Sequence, residues 1–218
     1  MELIVVASPH TILYEPEKIN RMFAEGLDYF FLRKPKLRKS DLVDIIGQID
    51  SEHHAKMFLH KHFFVAATKK MGGILIDRDL RYSIFFRWIQ LPILKLIHPQ
   101  IKIATNVKHH RSINHLPSFV DVVLLNDVVD KQKPSEFSAN LDLDILKTKL
   151  DSTDKKIFAY GNLTEENAEM VAQFAFAGIA LQGAVWRNPE PVKAMRQFKQ
   201  LIAKGNVQLN VRQIRHAK

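Results

Sequence analysis

Cysteine is missing from this chain of 218 residues. Its absence excludes disulfide bonds, thiolate metal sites and cysteine nucleophiles, and it is compatible with a reducing compartment. The first residues also lack the basic region and long apolar core of a signal peptide. Residues 84–97 form the longest apolar run, but Arg87, Gln90, Pro92 and Lys95 interrupt it well before the roughly 20 apolar residues of a membrane span. We therefore expect a cytoplasmic protein with no membrane partner.

Acidic residues are fewer than basic ones, which gives a net charge of +9 and a pI near 9.7. The basic residues are spread along the chain, and no recognition helix, zinc finger or RNA-binding signature accompanies them. Residues 204–218 contain four Lys and Arg and no acid, which is typical of a solvated basic tail. Nucleic acid is thus not the expected partner, whereas small phosphorylated molecules would be attracted by this charge.

Short apolar segments alternate with helical patterns along almost the whole chain. Eight such segments, each followed by a helical or partly helical segment, favour a closed barrel over an open sheet. The sequence therefore predicts a single (β/α)8 TIM barrel over residues 1–203, followed by the basic tail. The predicted strands are Glu2–Ala7, Tyr29–Leu32, Lys56–Leu59, Gly73–Ile76, Ile101–Thr105, Val120–Leu125, Lys156–Tyr160 and Gly178–Leu181.

In such a barrel the residues that follow the strands converge at one mouth, where active sites lie. The predicted mouth residues are Arg33, His60, Lys61, Asp77, Asn106, Lys108, Asn126, Asp127, Gly161, Asn162, Gln182 and Gly183. Gly161 and Gly183 end the last two strands and precede helical patterns. Backbone N–H groups at such positions bind phosphate, although both glycines could instead serve tight turns.

Seven segments, in order and at the expected spacing, resemble motifs of the thiamin-phosphate synthase family. They are residues 30–36 (FFLRKPK), 57–62 (MFLHKH), 73–77 (GILID), 103–108 (IATNVK), 120–129 (VDVVLLNDVV), 159–168 (AYGNLTEENA) and 177–186 (AGIALQGAVW). The family joins a pyrimidine methyl diphosphate to a thiazole phosphate and releases pyrophosphate with the help of Mg²⁺. The resemblance implies a small phosphorylated substrate and, together with the apolar run near Trp88, a homodimer.

The resemblance also implies roles for individual residues. The loops that follow the seventh and eighth strands would hold the thiazole phosphate through Gly161, Asn162, Gln182 and Gly183. The remaining substrate and phosphate contacts would come from Arg33, Lys34, Lys36, Lys61, Asn106 and Lys133.

The chain departs from the family where the metal binds. The family has a carboxylate after the third strand, preceded by an Asn. In this chain these two positions are occupied by Lys61 and His60, respectively. An ammonium group cannot coordinate Mg²⁺, which prefers oxygen ligands. The sequence thus leaves two alternatives, a magnesium site rebuilt on Asp77 and Asp79, or an ion pair between Lys61 and substrate phosphate.

A related branch of the family isomerises the thiazole phosphate by proton transfer, which needs a general acid or base and no metal. That branch has a His at the position of Asp127. Asp127 and His60 are therefore the candidate catalytic residues, with His62, His109 and His110 as further alternatives. Three hypotheses remain open: a synthase with an altered diphosphate site, a metal-independent tautomerase, and a homologue that binds phosphate without catalysis.

Overall fold

The computed structural model describes residues 1–216, with side chains through residue 204. Eight parallel strands pair in chain order, and the eighth pairs with the first, so the sheet closes into a barrel. The predicted (β/α)8 fold is therefore confirmed. The strands are β1 (Glu2–Val6), β2 (Tyr29–Leu32), β3 (Met57–His60), β4 (Gly73–Ile76), β5 (Lys102–Val107), β6 (Val122–Leu125), β7 (Lys156–Tyr160) and β8 (Gly178–Leu181).

Helices surround the barrel and connect its strands. They are α1 (Glu15–Ala24), α2 (Lys39–Gly47), α3 (Phe63–Thr68), α4 (Arg78–Arg81), α5 (Leu91–Ile97), α6 (Leu143–Ser152), α7 (Glu165–Ala172), α8 (Gly183–Trp186) and α9 (Pro191–His216). A π-helical turn, Phe86–Gln90, leads directly into α5, and only a 3₁₀ helix, His110–His115, links β5 to β6. Among the described residues, no helix combines the length and apolar character of a membrane crossing.

The last helix continues past the predicted end of the barrel domain. α9 runs from Pro191 to His216 without a break, so the backbone of the predicted basic tail is mostly helical. Ala217 and Lys218 lie outside the described residues, as do the side chains of Arg212 and Arg215. The contacts of the tail stay a prediction.

Alternation along each strand separates two apolar cores. One set of side chains points outward and packs against the helices. The other set fills the barrel interior and includes Phe31, Phe58 and Phe158. The rings of Phe31 and Phe58 are stacked, with centroids 4.5 Å apart. Since these rings fill the lower barrel, a ligand can enter only above them, at the carboxyl ends of the strands.

Candidate functional site

The barrel interior changes from apolar to polar at one level. Each strand has an apolar inward residue, and the residue two positions later, which points the same way, is polar in all eight cases. We call this set the polar ring. Its members are Ser8, Arg33, His60, Asp77, Asn106, Asn126, Tyr160 and Gln182. The mouth of the barrel is therefore the candidate site, as the sequence predicted for the TIM-barrel fold.

His60 and Asp77 form the central pair of the polar ring. The Nε2 atom of His60 lies 2.9 Å from Oδ2 of Asp77, and the His60 side chain is only 3% exposed. Burial lowers the pKa of His60 below its ordinary value of 6.5, against the opposing effect of Asp77. Arg33 and Lys61 lower this pKa further because both are cations. The imidazole is therefore neutral at neutral pH, and its Nε2–H group donates a hydrogen bond to the carboxylate of Asp77.

Other members of the ring present unpaired polar atoms. Arg33 Nε, Asn106 Oδ1 and Asn126 Oδ1 are buried and have no hydrogen-bond partner among the described residues. Asp77, Asn106 and Asn126 also line a cavity of about 480 Å³, together with Arg81. Arg81 is buried and donates to the carbonyl oxygen of Asn106 at 3.1 Å. A ligand in this cavity would meet both hydrogen-bond acceptors and positive charge.

A second cavity, of about 260 Å³, lies at the ends of β7 and β8. Gly161, Asn162, Gln182 and Gly183, the four residues predicted to hold phosphate, all line it, as does Arg187. Gly161 has φ +90°, a conformation that favours glycine. A Cβ atom on Gly183 would lie 2.9 Å from Nη2 of Arg187, so the guanidinium packs directly over this glycine. The cavity thus combines exposed backbone with a cation, which suits a phosphate group.

Hydrogen bonds fix the frame of this second cavity. The Tyr160 hydroxyl donates to Oε1 of Gln182 at 3.3 Å, and Nε2 of Gln182 donates to the carbonyl oxygen of Ala7 at 2.9 Å. The indole Nε1 of Trp186 donates to the carbonyl oxygen of Val6 at 2.7 Å, which anchors α8 to β1. Nδ2 of Asn162 donates to the carbonyl oxygen of Val129 at 3.1 Å, so this amide joins the loop that follows β7 to the loop that follows β6. These hydrogen bonds connect β7, β8 and α8 to β1 and to the loop after β6 around the cavity.

Lys34 lies elsewhere than the sequence predicted. It lies two residues beyond the end of β2, and its Nζ atom is 2.6 Å from Oε2 of Glu15 in a buried ion pair. It also donates to the carbonyl oxygen of His10 at 2.7 Å. The ammonium group is thus already paired inside the protein and is not directed at the mouth. The pair fixes α1 against the loop that follows β2.

Lys36, Lys61 and Lys133 are exposed, and none of the three lines either mouth cavity, whereas Lys108 lines the cavity beside Asp77. Lys61 follows His60 with φ +63° and is close enough to influence its pKa. Lys36 lies on the loop that follows β2. Lys133 lies beyond β6, where its Nζ atom is 3.5 Å from Oε2 of Glu136. Lys61 is therefore the one of these three that the structure brings to the polar ring.

Asp127 is at the rim rather than in the ring. Asp127 lies beyond the end of β6 with φ +54°, and its side chain is exposed. It lies beside Gly161, where an added Cβ atom would be 3.0 Å from the Asp127 backbone nitrogen. Burial raises the pKa of Tyr160, the charge of Arg33 lowers this pKa, and the charge of Asp127 raises it. Arg33 and Asp127 therefore both lie near the Tyr160 hydroxyl. Between the two predicted catalytic residues, His60 has the enclosed environment and Asp127 does not.

The residues around Asp77 do not fit a magnesium ion. Asp77 is already hydrogen-bonded to His60, Asp79 is exposed on α4, and Arg81 and Lys61 bring positive charge. Within the described chain, the group of three acidic or His side chains with closely spaced ligand atoms is Asp50, Glu52 and His53. That group precedes β3, at the opposite end of the barrel. Mg²⁺ is usually held by one or two carboxylates that are free to coordinate it, whereas the carboxylate of this mouth is engaged by His60 and flanked by two cations.

Sequence reasoning missed Ser8, Arg81, Tyr160 and Arg187, and the last two had a signal in the sequence. Tyr160 ends β7 and could have been found by counting two positions from the buried Phe158, since alternate strand residues share a face. Arg187 is four positions after Gly183, one helical turn away, so it returns to the same side. Both signals depend on knowing where β7 and α8 begin and end.

Gly183→Val should weaken phosphate binding at least about tenfold while leaving the barrel folded. The new side chain meets the flexible end of Arg187 and not backbone, so it displaces the guanidinium and covers the glycine amide. Isothermal titration with inorganic phosphate, together with thermal unfolding, measures both effects. The matched control is Gly47→Val, because Gly47 has open space at its Cβ position and lies on α2. Equal phosphate affinity in the two variants would contradict the assignment.

No protein-family model matches the chain, and no curated protein sequence matches it. Solved structures do match over nearly the whole chain. Thiamine phosphate pyrophosphorylase from Bacteroides thetaiotaomicron is 21% identical with a TM-score of 0.72, covering 92% of this chain and 97% of that one. The same-named protein from Pyrococcus furiosus is 16% identical with a TM-score of 0.74, covering 94% and 96%.

A protein with a different name is similar to nearly the same extent. 3-Hexulose-6-phosphate synthase from Salmonella typhimurium is 12% identical with a TM-score of 0.67, covering 94% of this chain and 100% of that one. At such low identities the similarity establishes the architecture. This chain therefore has the (β/α)8 barrel fold that these proteins share, over almost its full length.

Proposed function

We propose that this protein binds a thiazole phosphate of thiamin biosynthesis and isomerises it by proton transfer without a metal. The observation that carries the proposal is the hydrogen bond between the buried His60 and the half-exposed Asp77, 2.9 Å long, in the part of the mouth where the family resemblance implies a metal site. An imidazole paired with a carboxylate is suited to moving protons. The resemblance to the thiamin-phosphate synthase family, including its tautomerase branch, supplies the substrate class.

The phosphate would bind in the cavity at the ends of β7 and β8. Gly161 and Gly183 offer close approach to the backbone, and Arg187 offers a guanidinium. A phosphate held there leaves the rest of the ligand over the polar ring, which the same mouth contains. This arrangement supports a small phosphorylated substrate, in agreement with the expectation from the net charge.

The proton transfer would use Nδ1 of His60. Asp77 accepts the hydrogen bond from Nε2, which keeps the proton on that atom and leaves the Nδ1 lone pair free to act as a base. Nδ1 would take a proton from a ring carbon of the thiazole and return it to the other end of the conjugated system. No atom is gained or lost, so the product is an isomer, and aromatisation drives the reaction. Arg33 would stabilise the negative charge that develops in between.

The synthase reaction is the competing proposal, and the likeness to two thiamine phosphate pyrophosphorylases supports it at the level of fold. The synthase reaction requires that the negative charge of a diphosphate be neutralised, which the family does with Mg²⁺. The side chains around Asp77 provide cations but few carboxylates that could hold Mg²⁺. The tautomerase proposal uses the residues that are present.

The test is a direct assay in D₂O. The protein is incubated with the non-aromatic thiazole phosphate, and ¹H NMR follows aromatisation and deuterium incorporation, with EDTA or with Mg²⁺. We expect turnover that EDTA leaves unchanged. Added pyrimidine diphosphate gives the opposing outcome: Mg²⁺-dependent thiamin phosphate would establish the synthase. Binding of the thiazole phosphate without either reaction would leave a non-catalytic homologue.

A further inference from the structure

A third cavity, of about 620 Å³, lies beside the barrel mouth. We call it the side cavity. One wall is the start of the 3₁₀ helix that links β5 to β6, and the other wall is the loop that leads into α6. The lining residues are His109, His110, Arg111, Ser112, Ala139, Asn140, Leu141 and Asp142. The volume lies within the roughly 300–1,000 Å³ that is usual for small-molecule sites.

His110 is buried in the wall of the side cavity without a hydrogen-bond partner. The residue is only 3% exposed, and neither of its ring nitrogens is bonded within the described chain. The other two buried histidines of the described chain have partners. The ring nitrogens of His54 each lie 3.3 Å from a carbonyl oxygen, and His60 is bonded to Asp77. A buried polar group without a partner is unfavourable, so its place in a cavity wall points to a partner that arrives from outside.

Positive charge surrounds this imidazole. Burial lowers the pKa of His110 below its ordinary value of 6.5, and the charge of Arg111 lowers this pKa further. Lys149 of α6 and the neighbouring His109 act in the same direction, against Asp142. The carboxylate of Asp142 is already engaged, because it accepts a hydrogen bond from the backbone at the start of α6. An anion in the side cavity would therefore meet an excess of positive charge.

We propose that the side cavity is a second binding site, separate from the phosphate site at the ends of β7 and β8, for a small organic anion with a phosphate or carboxylate group. Arg111 would pair with the anionic oxygens, and His110 would donate an N–H group to them. Ser112 and Asn140 line the same cavity and offer further hydrogen bonds. This inference does not depend on the proposed chemistry of the mouth.

Binding of the anion requires the His110 ring to turn toward the cavity. Both ring nitrogens are buried, whereas the neighbouring lining residues Arg111 and Asn140 are exposed. No hydrogen bond holds the ring in its buried position, so the rotation breaks none. Beside an anion the charged form of an imidazole is favoured. The anion and a proton should therefore bind together, and His110 should change from neutral to protonated.

Histidine side-chain NMR of the full chain tests this site. The probes are inorganic phosphate and acetate, titrated at pH 7 and constant ionic strength into Gly183→Val, in which the phosphate site at the ends of β7 and β8 is blocked. His110→Leu identifies the His110 signal by its loss. We expect this signal to move toward the imidazolium position, and the probe that binds more tightly shows which anionic group the site prefers.

The affinity of that probe tests the role of the guanidinium. Arg111→Gln should raise its dissociation constant at least about tenfold, since a charge-assisted pair is lost. Arg21→Gln is the matched control, because Arg21 is exposed on α1 and lies outside the cavity. An unmoved His110 signal with both probes, or equal affinity in the two arginine variants, would overturn the proposal. Because His110 is observed directly, these outcomes do not depend on whether the mouth binds phosphate.

The buried histidines provide a second test, which needs no ligand. His110→Leu removes two polar atoms that have no partner, so it should unfold at the wild-type temperature or above it. His54→Leu is the matched control, because it leaves two carbonyl oxygens without their partner and should unfold at a lower temperature. Thermal unfolding followed by circular dichroism compares them. An equal loss in both variants would show that His110 is satisfied within the fold, which would contradict the proposed site.

Discussion

Replacing His60 with Ala is expected to lower kcat for thiazole phosphate isomerisation by about 10²–10⁴-fold, the range for loss of a general acid or base. Binding of the phosphate should change little, because Gly161, Gly183 and Arg187 form a separate cavity. Phosphate titration and the NMR assay measure the two effects independently. His62→Ala is the matched control, since His62 is a neighbouring imidazole that is exposed. Full activity in His60→Ala would transfer the catalytic role to another residue, with Asp127 tested next.

The pH profile gives His60 a second and more specific test. A neutral imidazole acts as the base, so kcat/KM falls when acid protonates it. Because burial lowers the pKa of His60, the acidic limb should lie below the ordinary value of 6.5. Asp77→Asn removes an anion that raises this pKa, so the limb should move to still lower pH. An acidic limb that stays in place in Asp77→Asn would show that this limb does not report on His60.

Asp77→Asn should also reduce kcat, for a reason distinct from its effect on the pKa. The carboxylate accepts a hydrogen bond from the Nε2–H group, with 2.9 Å between Nε2 and Oδ2. This bond fixes the tautomer in which Nδ1 is the base. An amide can present either its oxygen or its NH₂ group, so the ring is no longer held in one tautomer. In the proposed reaction Asp77 is therefore a positioning residue, and His60 is the residue that would touch the substrate.

The barrel itself was readable from the sequence because its signals are local. Each strand is a short apolar run, and each intervening segment contains enough turn and helix signals to separate it from the next. The positions of Gly161 and Gly183 after β7 and β8 were also readable, since a glycine after a buried strand and before a helix is a local signal. These features need only a few neighbouring residues to be recognised.

The direction of individual side chains was not readable in the same way. A shift of one residue in a strand moves a side chain from one face to the other. Lys34 and Arg33 differ by one position, yet Lys34 pairs with Glu15 outside the barrel and Arg33 belongs to the polar ring. Asn126 also belongs to the polar ring, whereas Asp127, one position later and with φ +54°, is exposed. Strand ends are uncertain by more than one residue from sequence alone, so this parity had to come from the structure.

Contacts between strands needed the register as well. The hydrogen bond between His60 and Asp77 joins the ends of β3 and β4, where His60 is paired with Leu75 and Asp77 follows two residues later. The sequence proposed both residues, one as an acid or base and the other as a metal ligand. Only their proximity shows that they act on each other, which changes the function that they support.

Closure of the barrel depends on a glycine that has no role in the site. Gly178 begins β8 and is paired with Glu2 of β1 across the seam that closes the sheet. A Cβ atom at this position would lie 1.8 Å from the carbonyl oxygen of Glu2 and 2.8 Å from a ring carbon of Phe158. The first contact is with backbone, which cannot rotate away. Any side chain here must therefore separate β8 from β1.

Gly178→Ala is accordingly expected to lower the free energy of unfolding by at least about 4 kcal/mol, a large fraction of the 5–15 kcal/mol of a typical domain. Urea denaturation followed by circular dichroism measures the loss, and the expected result is a greatly reduced midpoint or a chain that does not fold. Gly47→Ala provides the control, because its Cβ position is open and Gly47 is helical; its stability should rise by up to about 1 kcal/mol. If both variants unfolded at the wild-type midpoint, the tight β1–β8 seam would be contradicted, because a methyl group cannot occupy the space of a backbone oxygen.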